Sequence, residues 1–482
     1  MSIPITVAYG DGIGPEIMEA VLLILSEAGS GLVIETIEVG HNLYKKEWSS
    51  GIAPSSWDSI YRTKILLKSP TMTPQGQGHK SLNVTLRKKL GLYANVRPCI
   101  SYHPLVKTKY PNLNVVIVRE NEEDTYTGIE HRLTSDTYQC SKVITRSGSE
   151  RICNYAFHYA TVNNRKRVTC LIKDNIMKMT DGIFHKSFSK IAKNYPNIDS
   201  DHYIVDIGMA KVATNPEHFD VIVTTNLYGD IVSDIVAELS GSIGLAGSAN
   251  IGDNYAMFEA VHGSAPDIAG KNIANPSGLL NAAIQMLVYL KKVDKAELIY
   301  NAFLKTLEDG IHTADIYQSQ ISKKKVSTMD FAKAIIENFG QFPSQLPKSV
   351  FQDNASRTGI FYTYEPSYVT KILVGVDITI GCDNVDLNSK QLIHTLQGIT
   401  HDKLELVLVH SKGLEVWPDE SANANLSYID QICCRFYVKN QGDTIMNEHV
   451  NQLLFNIDQK KIDVVKMEKL YLYDNQAGFF TV

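Results

Sequence analysis

The chain opens on an apolar run, IPITVAYG at 3–10, that reads as a buried strand. A Gly-rich turn follows and leads into DGIGPEIMEAVLLILSEAG, where apolar residues recur at helical spacing behind an early proline. Strand-like runs return at 64–67, 114–118, 168–172, 203–207 and 220–225. Most are separated by helical patterns such as 176–193 and 279–292. This alternation predicts an α/β architecture with a largely parallel sheet. The stretch 125–148 breaks the rhythm. It is rich in Thr and Ser, with short polar β-like pieces, and reads as an excursion from the main sheet.

At 340–368 Pro, Ser, Gln and Asn accumulate and periodicity is lost, which predicts a linker. A fresh pattern begins beyond it. A strand at 371–380 is followed by a helix at 387–398, strands at 404–409 and 430–438, a helix at 445–458 and a strand at 463–473. That order, β-α-β-β-α-β, is the ferredoxin-like arrangement.

Length and composition narrow the function. The 482 residues exceed one typical core and predict two or three domains. A formal net charge of −5 argues against general nucleic-acid binding, which needs a basic face. No apolar run approaches the roughly 20 residues of a membrane span. The first residues, MSIPITVAYG, lack a basic region followed by an apolar one, so no signal peptide is expected. Seven scattered cysteines without a C-x-x-C pair fit reduced thiols in a cytoplasm.

Candidate chemistry clusters at predicted strand ends. In TTNLYGDIVSDIVAELSG (224–241), Asp230 and Asp234 stand four apart, so they share one helical face. Two carboxylates at the C-terminal edge of a sheet suit Mg²⁺ or Mn²⁺. The same pair also fits a dipole-favoured acid and a solvent-facing one. In SLNVTLRKKLGLYANVRP (81–98), Ser81, Asn83, Arg87 and Arg97 lie close together, and Arg119 follows in VIVREN. Guanidinium forks suit a substrate carrying several carboxylates, although RKKL is also an ordinary basic helix face. Tyr126 and Lys173 are candidate proton-transfer groups. A lysine beside a metal and other cations can have its pKa lowered into a useful range. The loop FEAVHGSAPDIAGKNIANP (258–276) is rich in small residues and prolines and carries one acid in its middle, Asp267.

In order and context these stretches resemble the β-decarboxylating dehydrogenases, which act on isocitrate, isopropylmalate, homoisocitrate or tartrate. The matching pieces are GDGIGPE (10–16), SLNVTLRKKLGLYANVRP, VRENEEDTYTGIEH (118–131), KDNIMKMTDG (173–182), NLYGDIVSD (226–234) and HGSAPDIAGKNIANP (262–276). The Ser-x-Asn of SLNVTLR resembles the isocitrate branch, and the extra C-terminal domain resembles a long-chain bacterial subgroup. The resemblance implies large and small α/β domains sharing a central sheet: a coenzyme-binding domain at 1–92 and 241–339, and a substrate and dimerisation domain at 93–240. Within the second, about 125–148 would be a clasp exchanged between protomers, and 369–482 would be the added ferredoxin-like domain. It also implies metal-dependent oxidative decarboxylation of isocitrate to 2-oxoglutarate and CO₂. Arg87, Arg97 and Arg119 would grip the substrate carboxylates, and Ser81 and Asn83 the γ-carboxylate. Asp230 and Asp234 would bind Mg²⁺ or Mn²⁺. Asp206, a third metal ligand, and Lys173, the candidate base, would arrive from the other subunit of a homodimer. Tyr126 would help protonate C3.

The coenzyme expectation turns on the 262–276 loop. The resemblance places His262 and Asn275 near adenine, with Gly263, Ser264, Ala265 and Pro266 letting the backbone approach, and puts Thr73 and Asn175 toward the nicotinamide. NADP-using relatives carry Lys-Tyr where this chain has Asp267 and Ile268. An Asp accepts hydrogen bonds from ribose hydroxyls and repels a 2′-phosphate, so NAD is expected, with NADP the alternative. Three other readings stay open: an isopropylmalate or homoisocitrate dehydrogenase, a non-catalytic regulatory subunit, and a ligand or nucleic-acid role for the C-terminal domain.

Overall fold

The strand Ile3–Ala8 anchors a ten-stranded sheet, and the helix Gly14–Glu27, with proline in its first turn, packs seven buried residues toward it. The structure is a computed structural model that describes residues 2–45, 48–72, 81–351, 362–382, 389–399, 401–418, 430–440 and 442–480. Across the sheet the strands run Leu32–Ile37, Ile3–Ala8, Ile65–Lys68, Ala256–Ala260, Gly247–Ile251, Ala94–Ile100, Asn114–Glu120, Val221–Thr224, Arg167–Ile172 and Asp199–Ile204. The first four are mutually parallel, and so are the last four. Between these blocks the pairings are antiparallel. The expected parallel sheet is therefore two parallel blocks joined by antiparallel strands.

Alternation along the central strands decides which side chains reach which face. In Asn114–Glu120, Val116 and Val118 enter the main core, while Val115 and Ile117 enter a second core on the other face. Arg119 therefore shares the face of Val115 and Ile117. On the neighbouring strand Val96 enters the main core and Cys99 the second one, which puts Arg97 on the same face as Arg119. That second core is completed by Val232, Val236 and Ala237 of the helix Asn226–Leu239. Two arginines thus meet one helix because the strand period is two.

One expected strand is misplaced. Residues 203–207, YIVDI, read as a strand-like run. The strand instead ends at Ile204, and the helix Val205–Thr214 follows. Asp206 stands in its first turn, where the helix dipole favours an acid. The helix expected from 176 begins at Thr180, and residues 173–179 form the turn before it.

The chain divides into two compact units: residues 1–127 with 142–363, and residues 128–141 with 364–482. The second unit has the expected ferredoxin-like order. Strands Leu404–Ser411, Gln431–Val438, Lys371–Gly381 and Val464–Tyr473 lie side by side and antiparallel, extended at the edges by Leu414–Trp417 and Gln476–Ala477. Helices Ser389–Gln397 and Asn447–Asp458 accompany this sheet. The 128–141 segment of this unit contains a hairpin, Glu130–Arg132 with Tyr138–Cys140. The Thr134 and Thr137 hydroxyls between its strands both donate to Asp430.

Candidate active site

The helix Asn226–Leu239 starts where the strand Val221–Thr224 ends, and Thr224 is in register with Arg119. One helical turn separates Asp230 from Asp234. Asp230 is the node of the site. It accepts from Arg119, from Arg97 at 3.3 Å and from the Tyr126 hydroxyl at 2.6 Å. Arg97 also donates to Asp234 at 3.0 Å, Ser233 at 2.6 Å and Asn95 at 2.7 Å. Asn226 holds Arg119 through its side-chain oxygen, at 3.0 and 2.7 Å. The Arg119 guanidinium lies 5.0 Å from the centre of the Tyr126 ring.

Protonation states follow from this packing. Burial, then Arg87 and Arg97, lowers the Arg119 guanidinium to about 9, so the cluster carries surplus positive charge that favours an anion. Burial pushes Asp230 upward, but Arg119 and Arg97 outweigh it and hold the carboxyl below its usual range. Burial raises Asp234 despite Arg97. Burial also raises Tyr126, which therefore keeps its proton at neutral pH.

Arg87, on the helix Leu82–Lys89, reaches Glu259 at 3.2 Å and leaves its Nε buried without a partner among the described residues. Glu259 also pairs with Lys68 at 2.8 Å and accepts from Asn250 at 3.0 Å. Sequence reasoning missed Glu259, Lys68, Asn226 and Ser233. A signal was available for two of them: Lys68 and Glu259 are single charges in the otherwise apolar strands ILLK and AMFEA. Ser81 lies just before the helix Leu82–Lys89, and Asn83 accepts from Thr71 at 3.4 Å.

Lys173 and Asp206 form a second pair, with Nζ 3.0 Å from Oδ1, and pair with neither Asp230 nor Asp234. Lys173 holds the Asp206 carboxyl below its usual range. Asn175 is exposed in the turn after Lys173. Thr73 lies outside the described residues.

Beside the Arg119 strand end, Glu120 is buried and accepts the amides of Glu122 at 2.7 Å and Glu123 at 3.0 Å. Burial raises its carboxyl to about 8, against the pull of those two amides. The folded pKa is above the unfolded one, so this contribution to stability is complete below the unfolded value and is lost as pH rises through about 8. Glu120→Gln should therefore melt higher than the parent at about pH 8.5 and lose that advantage near about pH 5. Thermal midpoints at both pH values check this, and a larger advantage at the acidic one would overturn it.

The 262–276 loop presses on the first turn of the chain. The Ile13 amide donates to the Ser264 carbonyl at 2.9 Å, and a Cβ on Gly12 would stand 2.0 Å from that oxygen. Ala265 has a left-handed backbone, with φ of 38°. His262 has no partner at its buried Nε2 among the described residues, and burial lowers its pKa. Such an orphaned nitrogen fits a ligand with a hydrogen-bonding edge. Asn275 donates to Asp315 at 2.9 Å and caps the Ser277 amide. Gly263, Pro266 and Asp267 are exposed, and Ile268 is half-buried against the core.

For a divalent cation, one chain offers two carboxylates on one helix face, and no group of three metal-ligating side chains occurs among the described residues. Hard oxygen donors of the right class are present, and a third has to come from elsewhere.

A family model described as isocitrate/isopropylmalate dehydrogenase matches residues 4–335, and one described as the C-terminal domain of bacterial isocitrate dehydrogenase matches residues 371–482. The chain is 54% identical to a Rickettsia felis protein named NADP isocitrate dehydrogenase, over 99% of this chain and 98% of that one. It is 38% identical to a Thermus thermophilus protein with the same name, over 98% and 94%. A solved Thermus thermophilus structure, that of the TT0538 protein, superposes with a TM-score of 0.91 at 37% identity, covering 99% of this chain and 95% of that one.

These relatives overturn the expectation of NAD, because the Rickettsia felis and Thermus thermophilus proteins, which match along nearly the whole chain, are both named for NADP. The physical reason lies in the position of Asp267. It is exposed on a turn and has no ion pair or hydrogen bond of its side chain among the described residues. A solvated charge is screened and is worth only about 1 kcal/mol or less, too little to exclude a phosphate. Lys271, also exposed, follows four residues later in the same loop.

Proposed function

The chain belongs to the isocitrate/isopropylmalate dehydrogenase family, and from that premise we propose that it is an isocitrate dehydrogenase that uses NADP. The observation that carries the reading is the Asp230 node, where two arginines and a tyrosine converge beside a second aspartate. Charge supports the substrate. Lys68, Arg87, Arg97 and Arg119 face Glu259, Asp230 and Asp234, leaving one positive charge. A divalent cation brings the surplus to three, which matches a fully ionised tricarboxylate.

Asp230 and Asp234, with Asp206 of the partner subunit, would hold Mg²⁺ or Mn²⁺. When bound, that cation would supply a Lewis acid for the substrate's oxygens, and NADP would supply the hydride acceptor for C2. Arg87, Arg97 and Arg119 bind and orient the carboxylates, and Ser81 and Asn83 face the γ-carboxylate. Lys173 of the partner subunit takes the hydroxyl proton. Tyr126, kept protonated by its surroundings, delivers a proton to C3 after CO₂ leaves. The exposed apolar residues Ile176, Met179 and Ile207, which flank Lys173 and Asp206, support a homodimer that covers them. Exposed Lys271 offers a cation for the 2′-phosphate, while His262 and Asn275 would lie near adenine. Seven scattered cysteines without a C-x-x-C pair support a reducing, cytoplasmic setting. No helix among the described residues is long and apolar enough to cross a membrane.

Initial rates with isocitrate, 3-isopropylmalate and homoisocitrate, each with Mg²⁺ and both coenzymes, test the reading. Isocitrate with NADP should be fastest. Faster turnover of 3-isopropylmalate would replace the substrate assignment, and no turnover of any would favour a regulatory subunit.

A further inference from the structure

Two buried carboxylates have no part in the reaction just described. Asp124 is fully buried and sits in left-handed backbone, φ 67°, a conformation rare for a residue with a side chain. Its Oδ1 accepts the Thr125 amide at 2.8 Å, and its Oδ2 accepts the Leu227 amide at 3.0 Å. The first amide belongs to the short turn Thr125–Thr127 that carries Tyr126. The second belongs to the first turn of the helix that carries Asp230 and Asp234. Asp181 is also fully buried, and its Oδ2 accepts the Lys173 amide at 2.7 Å. It therefore holds the turn from which Lys173 projects.

Lys142 stands between the two. Its Nζ lies 2.6 Å from Asp181 and 3.9 Å from Asp124, over the face of Tyr228 at 4.5 Å from the ring centre. Among the described residues no other cation pairs with either carboxylate. Without it, two like charges would face each other in a low-dielectric interior, where one must take a proton or turn away. Either change weakens an acceptor that now fixes a backbone amide of the Tyr126 turn or of the Lys173 turn.

Resting on the shared-site reading above, we propose that Lys142 is a positioning residue that couples the two active sites of the dimer through Asp124 and Asp181. In that reading Tyr126 serves its own chain's site, whereas Lys173 serves the partner's. One Lys142 thus supports one group in each site.

Differently tagged heterodimers separate this proposal from the reading beneath it. Lys173→Ala paired with Asp230→Ala should regain about one active site of two. No recovery in verified heterodimers overturns the shared sites and the coupling together. Given recovery, parent paired with Tyr126→Phe should keep about half the parental rate, because one site is intact. Parent paired with Lys142→Met should keep far less than half, because both sites lose a positioned group. Retention of half by that heterodimer overturns the coupling while leaving the shared sites standing. In the Lys142→Met homodimer, kcat should fall roughly 10²-fold, the scale of a misplaced proton-transfer group, with KM for isocitrate within about threefold. Neither Asp124 nor Asp181 accepts from a carboxylate-gripping arginine directly, so a rise in KM that matches the fall in kcat would also overturn it. Lys142→Arg should restore most of kcat, and failure to do so counts against a charge-based role. If Lys142→Met does not assemble, Lys142→Gln keeps a hydrogen-bonding end between the two carboxylates and removes the charge, and the same heterodimer readout applies.

Discussion

Asp230→Asn is expected to lower kcat/KM for isocitrate by roughly 10²–10³-fold, the scale of losing one preorganised charge at a reacting centre. The carboxylate does three jobs that an amide cannot do together. It neutralises Arg119, which is 1% exposed and has no other anion within ion-pair distance among the described residues. It shares Arg97 with Asp234. It also accepts a hydrogen bond from the Tyr126 hydroxyl at 2.6 Å, which orients that group. The amide keeps the shape, loses the charge and offers one accepting oxygen instead of two, so Arg119 and Tyr126 can no longer both be served as they are now, and a hard cation loses an anionic ligand. The Mn²⁺ concentration needed for half-maximal rate should rise as well. A loss under about tenfold with an unchanged Mn²⁺ requirement would remove Asp230 from both roles.

Glu259→Gln should act on stability first, costing about 3–5 kcal/mol, the usual result of breaking a buried ion pair from one side. Lys68 is 0% exposed and Arg87 is buried, so both cations would be left in the interior without their anion. Burial pushes the Glu259 carboxyl up, but Lys68 and Arg87 outweigh it and hold it at about 2. Against an ordinary value near 4.5, that depression corresponds to about 3 kcal/mol, in line with the mutational scale. A depressed folded pKa gives stability that is present above the unfolded value and lost as pH falls through the folded one. The gap between parent and variant should therefore be widest near neutrality and close between about pH 4.5 and pH 2. Denaturant midpoints across that range read it out. A gap that does not narrow in acid would show that Glu259 is not ionised in the folded protein.

The fold was legible where one periodicity ruled a segment. The buried strands at 3–8, 114–120 and 167–172 and the whole ferredoxin-like order were visible as apolar runs between turn residues. It was not legible at 203–207, where a short, mostly apolar run spans the end of a strand and the start of a helix. Nor could local pattern reveal that the sheet's two parallel blocks are joined by antiparallel strands, since pairing direction depends on partners far away in sequence. In the site, the arginines and aspartates stood out as charges at strand ends and helix starts. Glu259 and Lys68 show as single charges in apolar strands but could not be assigned, because a buried charge is explained only by the partner that neutralises it. Asp267 is visible in the sequence, but its exposure, which removes most of its influence, is not.

The order of strands also sets a schedule for synthesis. Ile65–Lys68 pairs on one side with Ile3–Ala8, but its other edge is covered by Ala256–Ala260. The ribosome must deliver every residue of the second parallel block before that cover emerges. Strands Asn114–Glu120, Arg167–Ile172, Asp199–Ile204 and Val221–Thr224 can pair with one another meanwhile. The nascent N-terminal segment therefore waits with an open edge along Ile65, Leu66 and Leu67, all buried once the fold is complete. Such an edge is the kind of surface that recruits stray strands and chaperones.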